Sequence, residues 1–350
     1  MRVTCVRISL LIVAVLLVVC AQAGAQCVLP AWSAGADYTI DVYSAGVASD
    51  GTFVYAAGGY SWTGGGSYIT DFGRYDPAAN TWTPLAPLPP AQGGAPLVFN
   101  PNDNKLYLFG GVGGTSVSAN TWIYDIATDV WTAGPPLPGP RQQMAGGFFN
   151  GLIYLVAGYD STAVTPQSQN WEFDPAAGTF TARADLPSTL GGPAFVAADG
   201  LFYIIGGRDI PTSNLSTVYA YDPAGDSWST LASLPVAINS AAAVQIPGPG
   251  SDPCAGDLVV TGGGDPVESG SSVPVGADDS RTTAQTQIYD IATNTWSLGP
   301  NLTQGRSFVG AANVDDQLVV IGGHNGSGSV ATVDIINAPV PVGLQSITVE

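Results

Sequence analysis

Basic side chains are scarce in this chain, and where they occur points to one kind of chemistry. The sequence carries 9 Lys and Arg and 1 His against 27 Asp and Glu. Arg141, Arg208, Arg306 and the single histidine, His324, occupy two recurring places in a repeated pattern described below. Guanidinium groups bind carboxylates and other small anions through paired hydrogen bonds. The pattern predicts an anion site at these four residues; the alternative is that each arginine bonds backbone carbonyls within its own repeat.

Further candidates for a binding site lie beside these residues. Tyr60 and Tyr159 occupy the same place in their repeats as His324. The longest loop, residues 264–287, carries Glu268 and Arg281. Long loops on a rigid scaffold often hold functional residues, although insertions also accumulate there without consequence.

The elements that must position these residues form a repeat of about fifty residues. A β-rich run ending in glycine, such as "LYLFGG", occurs six times. The runs end at Gly59, Gly111, Gly158, Gly207, Gly263 and Gly323. Each of the first five is followed by a hairpin pattern such as "FGRYDPAANTW", and from the second run onward each is preceded by a strand of small residues. Four strands per fifty residues predict a propeller blade, and six units predict six blades.

The motifs resemble the kelch repeat: a double glycine, then Tyr-Asp, then a Trp about six residues later. The resemblance implies an all-β, six-bladed kelch β-propeller over residues 26–340. Three departures occur, since Ala157 replaces a first glycine, Phe180 replaces a Trp, and the sixth unit has no Trp.

In a kelch blade, the turn that enters the first strand and the turn that leaves the second strand lie on one face, around the mouth of the central channel. The entering position holds Val42, Gln92, Arg141, Leu190, Ile238 and Arg306, and the leaving position holds Tyr60, Val112, Tyr159, Arg208, Gly264 and His324. We therefore expect the guanidinium groups of Arg141, Arg208 and Arg306 to converge at the mouth, with His324 near them.

The first tryptophan after the leader indicates how the ring closes. Trp32 begins a pattern that matches the sequence after Trp131, yet no repeat precedes it. The sixth unit lacks its fourth strand, so residues 30–36 are expected to pair with residues 331–337 and to remove the open sheet edge. The competing candidate is the C-terminal segment "LQSITVE", which has no Trp.

Residues 1–25 have the pattern of a cleaved secretory signal peptide. Arg2 and Arg7 precede an apolar run too short to span a bilayer, and small residues follow it. A lipoprotein cysteine is the alternative, with Cys20 or Cys27 as the modified residue. The sequence thus predicts a secreted protein, extracellular or periplasmic, with residues 341–350 as a tail or the start of a further segment.

Two cysteines remain after such a cleavage, and an oxidising compartment would allow them to pair. Cys27 approaches the closing strand from the face opposite the mouth. Cys254 lies in an extended turn of the neighbouring fifth blade, which emerges on that same face. We predict a disulfide between Cys27 and Cys254.

The composition excludes several functions. Removing Arg2 and Arg7 leaves 7 basic against 27 acidic side chains, or 7 − 27 = −20, which disfavours nucleic acid and anionic membranes. A single His cannot supply the metal ligands of a copper-radical oxidase, an enzyme type that shares the kelch propeller. The sequence also contains no metal-binding cysteine pattern, nucleophile elbow or phosphate-binding loop. We predict no cofactor, no metal, no catalytic residue and no membrane span.

The sequence therefore predicts a monomeric binding module that recognises an extracellular protein or glycan through the loops at the channel mouth. The alternative is a carbohydrate-modifying enzyme, because some bacterial kelch propellers are mutarotases of acidic sugars. Such an enzyme would need acid–base groups beside an arginine at the mouth, and Glu268 with Arg281 is the nearest combination.

Overall fold

Four-stranded antiparallel sheets arranged around a central channel make up the described part of the chain. The computed structural model describes residues 27–161, 165–209, 213–247, 253–264 and 282–337, and within these ranges the regular structure consists of strands, with no helix. The innermost strand of each sheet packs against that of the next, and the sixth packs against the first. This is the predicted all-β, six-bladed propeller.

Each blade runs from an innermost first strand to an outermost fourth strand. Blades one and two contain Gly46–Ser49, Val54–Ala57, Phe72–Asp76 and Thr81–Pro84, then Leu97–Asn100, Lys105–Phe109, Thr121–Asp125 and Val130–Ala133. Blades three and four contain Ala145–Phe149, Leu152–Val156, Asn170–Asp174 and Thr179–Arg183, then Ala194–Ala198, Leu201–Ile205, Val218–Asp222 and Ser227–Thr230. Blades five and six contain Ala242–Gln245, Leu258–Thr261, Thr286–Asp290 and Thr295–Leu298, then Gly310–Val314, Gln317–Ile321, Val333–Asn337 and Ser33–Ala34.

The second strand of each blade carries much of the core. Leu106, Leu108 and Phe109 are fully buried, since these strands are covered on both faces by neighbouring blades. Strands buried on both faces are continuous apolar runs rather than alternating ones, as in "LYLF". The double glycine that follows is required by packing, because a Cβ on Gly58 would lie 2.3 Å from the carbonyl oxygen of Gln92.

A closed ring of backbone hydrogen bonds lines the channel where the chain enters each first strand. One residue per blade donates its N–H to the carbonyl oxygen of the equivalent residue in the preceding blade, with N···O distances of 2.6–3.0 Å. The six residues are Ser44, Gly94, Gln143, Gly192, Ser240 and Phe308. All six have positive φ, from 48° to 65°, and the ring fixes the blades to one another at the axis.

The outer edges of the blades are joined by a second repeated contact. The indole Nε1–H of a Trp donates to the carbonyl oxygen of an Ala in the preceding blade at 2.8–3.0 Å. The N–H of that Ala donates to the Oδ1 of the Asn or Asp that lies two residues before the Trp, at 2.7–2.9 Å. The sets are Trp82 and Asn80 on Ala36, Trp131 and Asp129 on Ala86, Trp228 and Asp226 on Ala184, and Trp296 and Asn294 on Ala232. The backbone N–H and carbonyl oxygen of each such Ala are therefore both satisfied by the next blade.

The third blade lacks this contact for a physical reason. The residue of the second blade that corresponds to these Ala residues is Pro135, which has no N–H to donate. The third blade correspondingly has Gly178 in place of Asn or Asp. It also has Phe180 in place of Trp, which the missing N–H does not explain, because Trp32 donates to the carbonyl oxygen of Pro300, the equivalent proline of the fifth blade. A Cβ on Gly178 would lie 3.4 Å from Pro135 Cγ, so the two segments still touch.

The N-terminal segment closes the ring as predicted. Ser33 pairs with Ile335 and Ala34 with Asp334, which makes this segment the fourth strand of the sixth blade. The Trp32 side chain is buried against the fifth blade, and its Nε1 donates to Thr286 Oγ1 at 3.2 Å and to the carbonyl oxygen of Pro300 at 3.0 Å.

The predicted disulfide joins Cys27 to Cys254, with their Cα atoms 4.5 Å apart. It ties the segment just before the closing strand to the turn between the first two strands of the fifth blade. Cys254 belongs to the core between blades five and six, with Leu29 and Trp32. The bond spans 227 residues of sequence and fastens the N-terminal segment to the ring.

Candidate functional site

The channel-mouth face is defined by two short backbone segments per blade that lie side by side. The residue after each double glycine forms a β-bridge with the residue that enters the first strand. The bridged pairs are Tyr43 with Tyr60, Gly93 with Val112, Gln142 with Tyr159, Gly191 with Arg208, Asn239 with Gly264, and Ser307 with His324. Tyr60, Tyr159, Arg208 and His324 are thus on the predicted face.

The entering positions differ from the expectation by one residue. The bridged residues are those directly after Val42, Gln92, Arg141, Leu190, Ile238 and Arg306. Side chains alternate in direction along extended backbone, so a shift of one residue turns a side chain from the face to the interior. The side chains at the six entering positions are all buried, the most exposed at 4%.

Arg306 accordingly points into the sixth blade. Its Nη2 forms an ion pair with Asp334 Oδ2 at 2.6 Å, and its Nη1 donates to the carbonyl oxygen of Thr332 at 2.9 Å. Both charged side chains are fully buried. Burial lowers the pKa of Arg306, and the nearby carboxylates of Asp334 and Asp37 oppose that shift.

Arg141 has an equivalent position in the third blade. Its guanidinium lies 4.7 Å above the Trp171 ring, and Nη2 donates to Gln169 Oε1 at 2.9 Å. Arg141 and Arg306 each reach a residue 28 positions later in the chain. The expectation that these two guanidinium groups converge at the mouth is therefore wrong in its geometry, because both stabilise the third strand of their own blade.

The remaining candidates are spread around the face. Arg208 is half-buried in the hairpin formed by Arg208–Asp209 and Ser213–Asn214. Tyr159 packs on Gly191, where a Cβ would lie 2.2 Å from the Tyr159 ring, and burial raises the pKa of Tyr159 to about 12. Glu268 and Arg281 lie outside the described residues, so a ligand role for this wider set stays a prediction.

A different group of side chains forms the most distinctive feature of this face, at the seam between the first and sixth blades. We call it the seam aromatic cluster. Its members are Tyr43, Tyr60, Trp62, Tyr68, Phe308 and His324. Only Tyr60 and His324 among them were predicted, each for its place after a double glycine.

Tyr43 is the centre of the seam aromatic cluster. Its ring centroid lies 5.3 Å from Tyr60, 5.7 Å from Phe308 and 5.6 Å from His324. Trp62 lies above, 6.4 Å from Tyr60 and 6.2 Å from His324. These spacings are those of attractive aromatic pairs, so the rings support one another.

Phe308 occupies an unfavourable backbone conformation to reach this position. Its φ is +52°, which is uncommon for a bulky residue. The backbone ring at the channel imposes this value, because the Phe308 N–H and carbonyl both bond neighbouring blades. The equivalent residue of every blade also has a positive φ, so this conformation belongs to the architecture of the ring.

Asp41 holds the loop that carries Trp62. Its carboxylate accepts hydrogen bonds from the hydroxyls of Ser61, Thr63 and Ser329 and from the Trp62 N–H. Burial alone would raise the pKa of Asp41, but these hydrogen bonds outweigh it and hold the pKa below its ordinary value. Since Ser329 belongs to the sixth blade, Asp41 also fastens the two blades together.

His324 is a neutral hydrogen-bonding group in this setting. It is 9% exposed, and its Nδ1 accepts the N–H of Gly326 at 3.2 Å. Burial lowers the pKa of His324 from its ordinary 6.5, so the ring is uncharged near neutral pH. With Nδ1 as acceptor, the proton of the neutral ring lies on Nε2.

Trp62 presents the exposed part of the cluster. Of the large apolar side chains in the described residues, four are exposed: Val28, Trp62, Val130 and Leu298. Trp62, at 46% exposure, is the aromatic one, whereas Val130 and Leu298 lie on outermost strands. The exposed part of the seam aromatic cluster is therefore the Trp62 indole, which lies against Tyr60 and His324.

The central channel offers little acid–base chemistry. A cavity of about 140 Å³ beside the backbone ring is lined by small and neutral residues, among them Ser44, Gln143 and Phe308, and no ionisable side chain of the described residues lines it. A wider cavity of about 460 Å³ occupies another stretch of the channel, where Asp50 is its ionisable residue.

Metal-ion clusters and membrane-spanning helices are both absent from the described ranges. Among those residues, no group of three or more His, Cys, Asp or Glu is arranged to hold a metal ion. Nor does that part of the chain contain a helix of the length and apolarity needed to cross a membrane.

Sequence reasoning missed most of the seam aromatic cluster because its members come from different parts of two repeats. Trp62 and Tyr68 lie in the variable loop after the first double glycine, while Phe308 precedes the first strand of the sixth blade. One signal was available: "YSWTGGGSY" is the one such loop rich in aromatic residues.

Comparison with known proteins agrees with this architecture. The family model described as the KLHDC2/KLHL20/DRC7 Kelch-repeats domain matches residues 43–246, and the Kelch motif matches residues 305–338. Kelch-like protein 35 of Mus musculus is 30% identical over 109 residues, which is 31% of this chain and 16% of that protein. The chain thus matches less than a fifth of the length of this relative.

The fold also matches a solved structure, that of YjhT. The TM-score is 0.71, and the match covers 87% of this chain and 97% of the other. The sequences are 18% identical, so the likeness concerns the fold.

Proposed function

Since this chain belongs to the kelch-repeat family, whose propellers generally bind proteins, we propose that it is a secreted binding module. Its partner, an extracellular protein or glycan, docks on the channel-mouth face. The observation that carries this proposal is the half-exposed indole of Trp62 on that face, supported by packed aromatic rings. Tryptophan anchors of this kind dominate the energetics of many binding surfaces.

The rigidity of the surface supports recognition rather than general stickiness. The Trp62 N–H is bonded by Asp41 and Ser329, and the backbone ring fixes the segments beneath. A preorganised side chain loses little conformational entropy on binding, so more of the contact energy appears as affinity.

The Cys27–Cys254 disulfide supports export, because disulfides form and persist in oxidising compartments. It also fastens the closing strand independently of any partner. The signal-peptide pattern in residues 1–25 points the same way, although these residues lie outside the described ranges.

A catalytic function receives no comparable support. Proton transfer in a carbohydrate-modifying enzyme requires positioned acid and base groups. The cavity beside the backbone ring has no ionisable lining residue among those described, and Arg141 and Arg306 are held in their own blades. We therefore do not propose an enzyme.

A panel of immobilised glycans and extracellular proteins, probed with the labelled full chain, tests the proposal. Trp62→Ser should lose the ligands that the unaltered protein binds. Val130→Ser is the matched control, since Val130 is exposed to a similar extent, 48% against 46%, but lies on an outermost strand. Ligands that both variants retain equally would place binding elsewhere and refute the channel-mouth face.

A further inference from the structure

We propose that the seam aromatic cluster binds a neutral pyranose ring, stacked on the exposed face of Trp62. This inference rests on the proposed function and specifies the chemical group that the face recognises. It departs from the acidic ligand that the arginine pattern suggested.

The size of the exposed aromatic surface fits one sugar ring. A tryptophan side chain has roughly 150–250 Å² of surface, so the exposed part of Trp62 amounts to roughly 100 Å². A stable protein interface needs about 800 Å² from each partner. Tyr43 and His324 are 1% and 9% exposed and add little to the patch, while Tyr60 and Tyr68 are half-buried.

The electronic character of the indole suits a pyranose. An aromatic face carries partial negative charge, and its edge carries partial positive charge. The axial C–H groups on one face of a pyranose carry partial positive charge and lie flat together. Stacking them on Trp62 therefore buries apolar surface and pairs opposite partial charges.

Two polar groups of the cluster lie close to Trp62, one at its edge and one at its centre. His324 donates Nε2–H, because Nδ1 is occupied by the Gly326 N–H. The Tyr43 hydroxyl is buried beside Trp62, with no hydrogen bond of normal geometry. A buried hydroxyl without a partner is rare in proteins, and here it lies within the cluster.

The local charge favours a neutral ring over an anionic one. Asp41 stands directly beneath the Trp62 loop and is ionised at neutral pH, because its hydrogen bonds lower its pKa. The nearby arginine of the sixth blade, Arg306, is paired with Asp334 and fully buried. A uronic or sialic acid would therefore meet a carboxylate without a balancing cation in the described part of the seam.

Saturation-transfer NMR with the oxidised full chain tests this inference. The probes are the methyl β-glycosides of glucose, galactose, mannose and N-acetylglucosamine, with methyl β-glucuronide as the anionic counterpart. We expect at least one neutral glycoside to bind in the range of about 0.1–10 mM, as befits a single-ring contact. Transfer should be strongest to the C–H protons of one ring face, and the glucuronide should bind at least about threefold more weakly than glucose.

Variants assign the signal to the cluster. Trp62→Ala should weaken binding about tenfold, Trp62→Phe should weaken it less, and Val130→Ala should leave it unchanged. Trp62 and Val130 are both exposed, so the three variants should keep the melting temperature of the unaltered protein. The unaltered protein alone already tests the ring-face pattern if a variant fails to fold.

Three results would overturn the inference: no transfer to any neutral glycoside, tighter binding of the glucuronide than of all four neutral rings, or equal binding by Trp62→Ala. The binding-module proposal has a separate outcome. If a panel ligand depends on Trp62 while none of the glycosides binds, the face is correct and the pyranose is wrong. If no ligand depends on Trp62, both fail.

Discussion

Replacing Arg306 with methionine should destabilise the protein strongly, although the residue stands next to the channel mouth. Its guanidinium is fully buried and paired with Asp334 at 2.6 Å. Arg306→Met leaves the buried Asp334 carboxylate with two remaining donors, the Oγ1 of Thr303 at 2.6 Å and its N–H at 3.3 Å. Removing one partner of a buried ion pair typically costs about 3–5 kcal/mol of unfolding free energy.

The companion variant removes both charges. In Arg306→Met/Asp334→Leu no unpaired charge remains, and the main losses are the Thr303 hydrogen bonds and the one from Arg306 to the Thr332 carbonyl oxygen. Replacing a buried pair by apolar side chains of similar size is often nearly neutral, so we expect the double variant to lie within about 2 kcal/mol of the unaltered protein. The two substitutions should therefore be strongly non-additive.

Urea unfolding followed by tryptophan fluorescence measures these differences. The midpoint should fall for Arg306→Met and largely recover in the double variant, with the same slope in urea. A loss below about 1 kcal/mol for Arg306→Met, or additive losses in the double variant, would refute the structural role of Arg306. Arg306 would then again be a candidate for ligand binding.

Three further predictions concern stability. Cys27→Ser/Cys254→Ser should lower the unfolding free energy by about 2–4 kcal/mol, measured by urea unfolding, because the bond closes a loop of 227 residues; an unchanged midpoint would contradict this. Trp228→Phe should cost about 1 kcal/mol through loss of one indole hydrogen bond, and Phe180→Tyr, in the blade that lacks this contact, is its control. The pKa of His324 is lower in the folded protein than in the unfolded chain, so as the pH falls the unfolded chain takes up this proton first. The stability that His324 contributes is therefore present above pH 6.5 and is lost as the pH falls through its folded-state pKa. His324→Gln should make the melting temperature depend less on pH between pH 7 and pH 5. A pH profile equal to that of the unaltered protein would refute this prediction.

The closure of the ring illustrates what a repeat pattern can predict. Trp32 stood outside any complete unit, and the sixth unit lacked a strand, so one segment had to complete the other. The pairing of Ser33 with Ile335 confirms this, and so does the indole contact with the fifth blade. The disulfide followed from the same geometry, because the propeller puts the two cysteines on one face of neighbouring blades.

The Gly178 exception shows a limit of pattern matching. Within the sequence it is a departure from the repeat, and its cause is 43 residues earlier, at Pro135. Only the contact between neighbouring blades reveals that a missing N–H in one blade makes the Asn or Asp of the next unnecessary.

The sequence by itself determined the repeat, the number of blades, the closing strand and the cysteine pair, because these depend on spacing along the chain. Only the tertiary structure decided which side chains meet at the mouth. A shift of one residue turned Arg141 and Arg306 into the blades, since extended backbone alternates its side chains. Closure of the ring brought His324 against Tyr43 and Trp62, more than 260 residues away, because the last blade packs on the first.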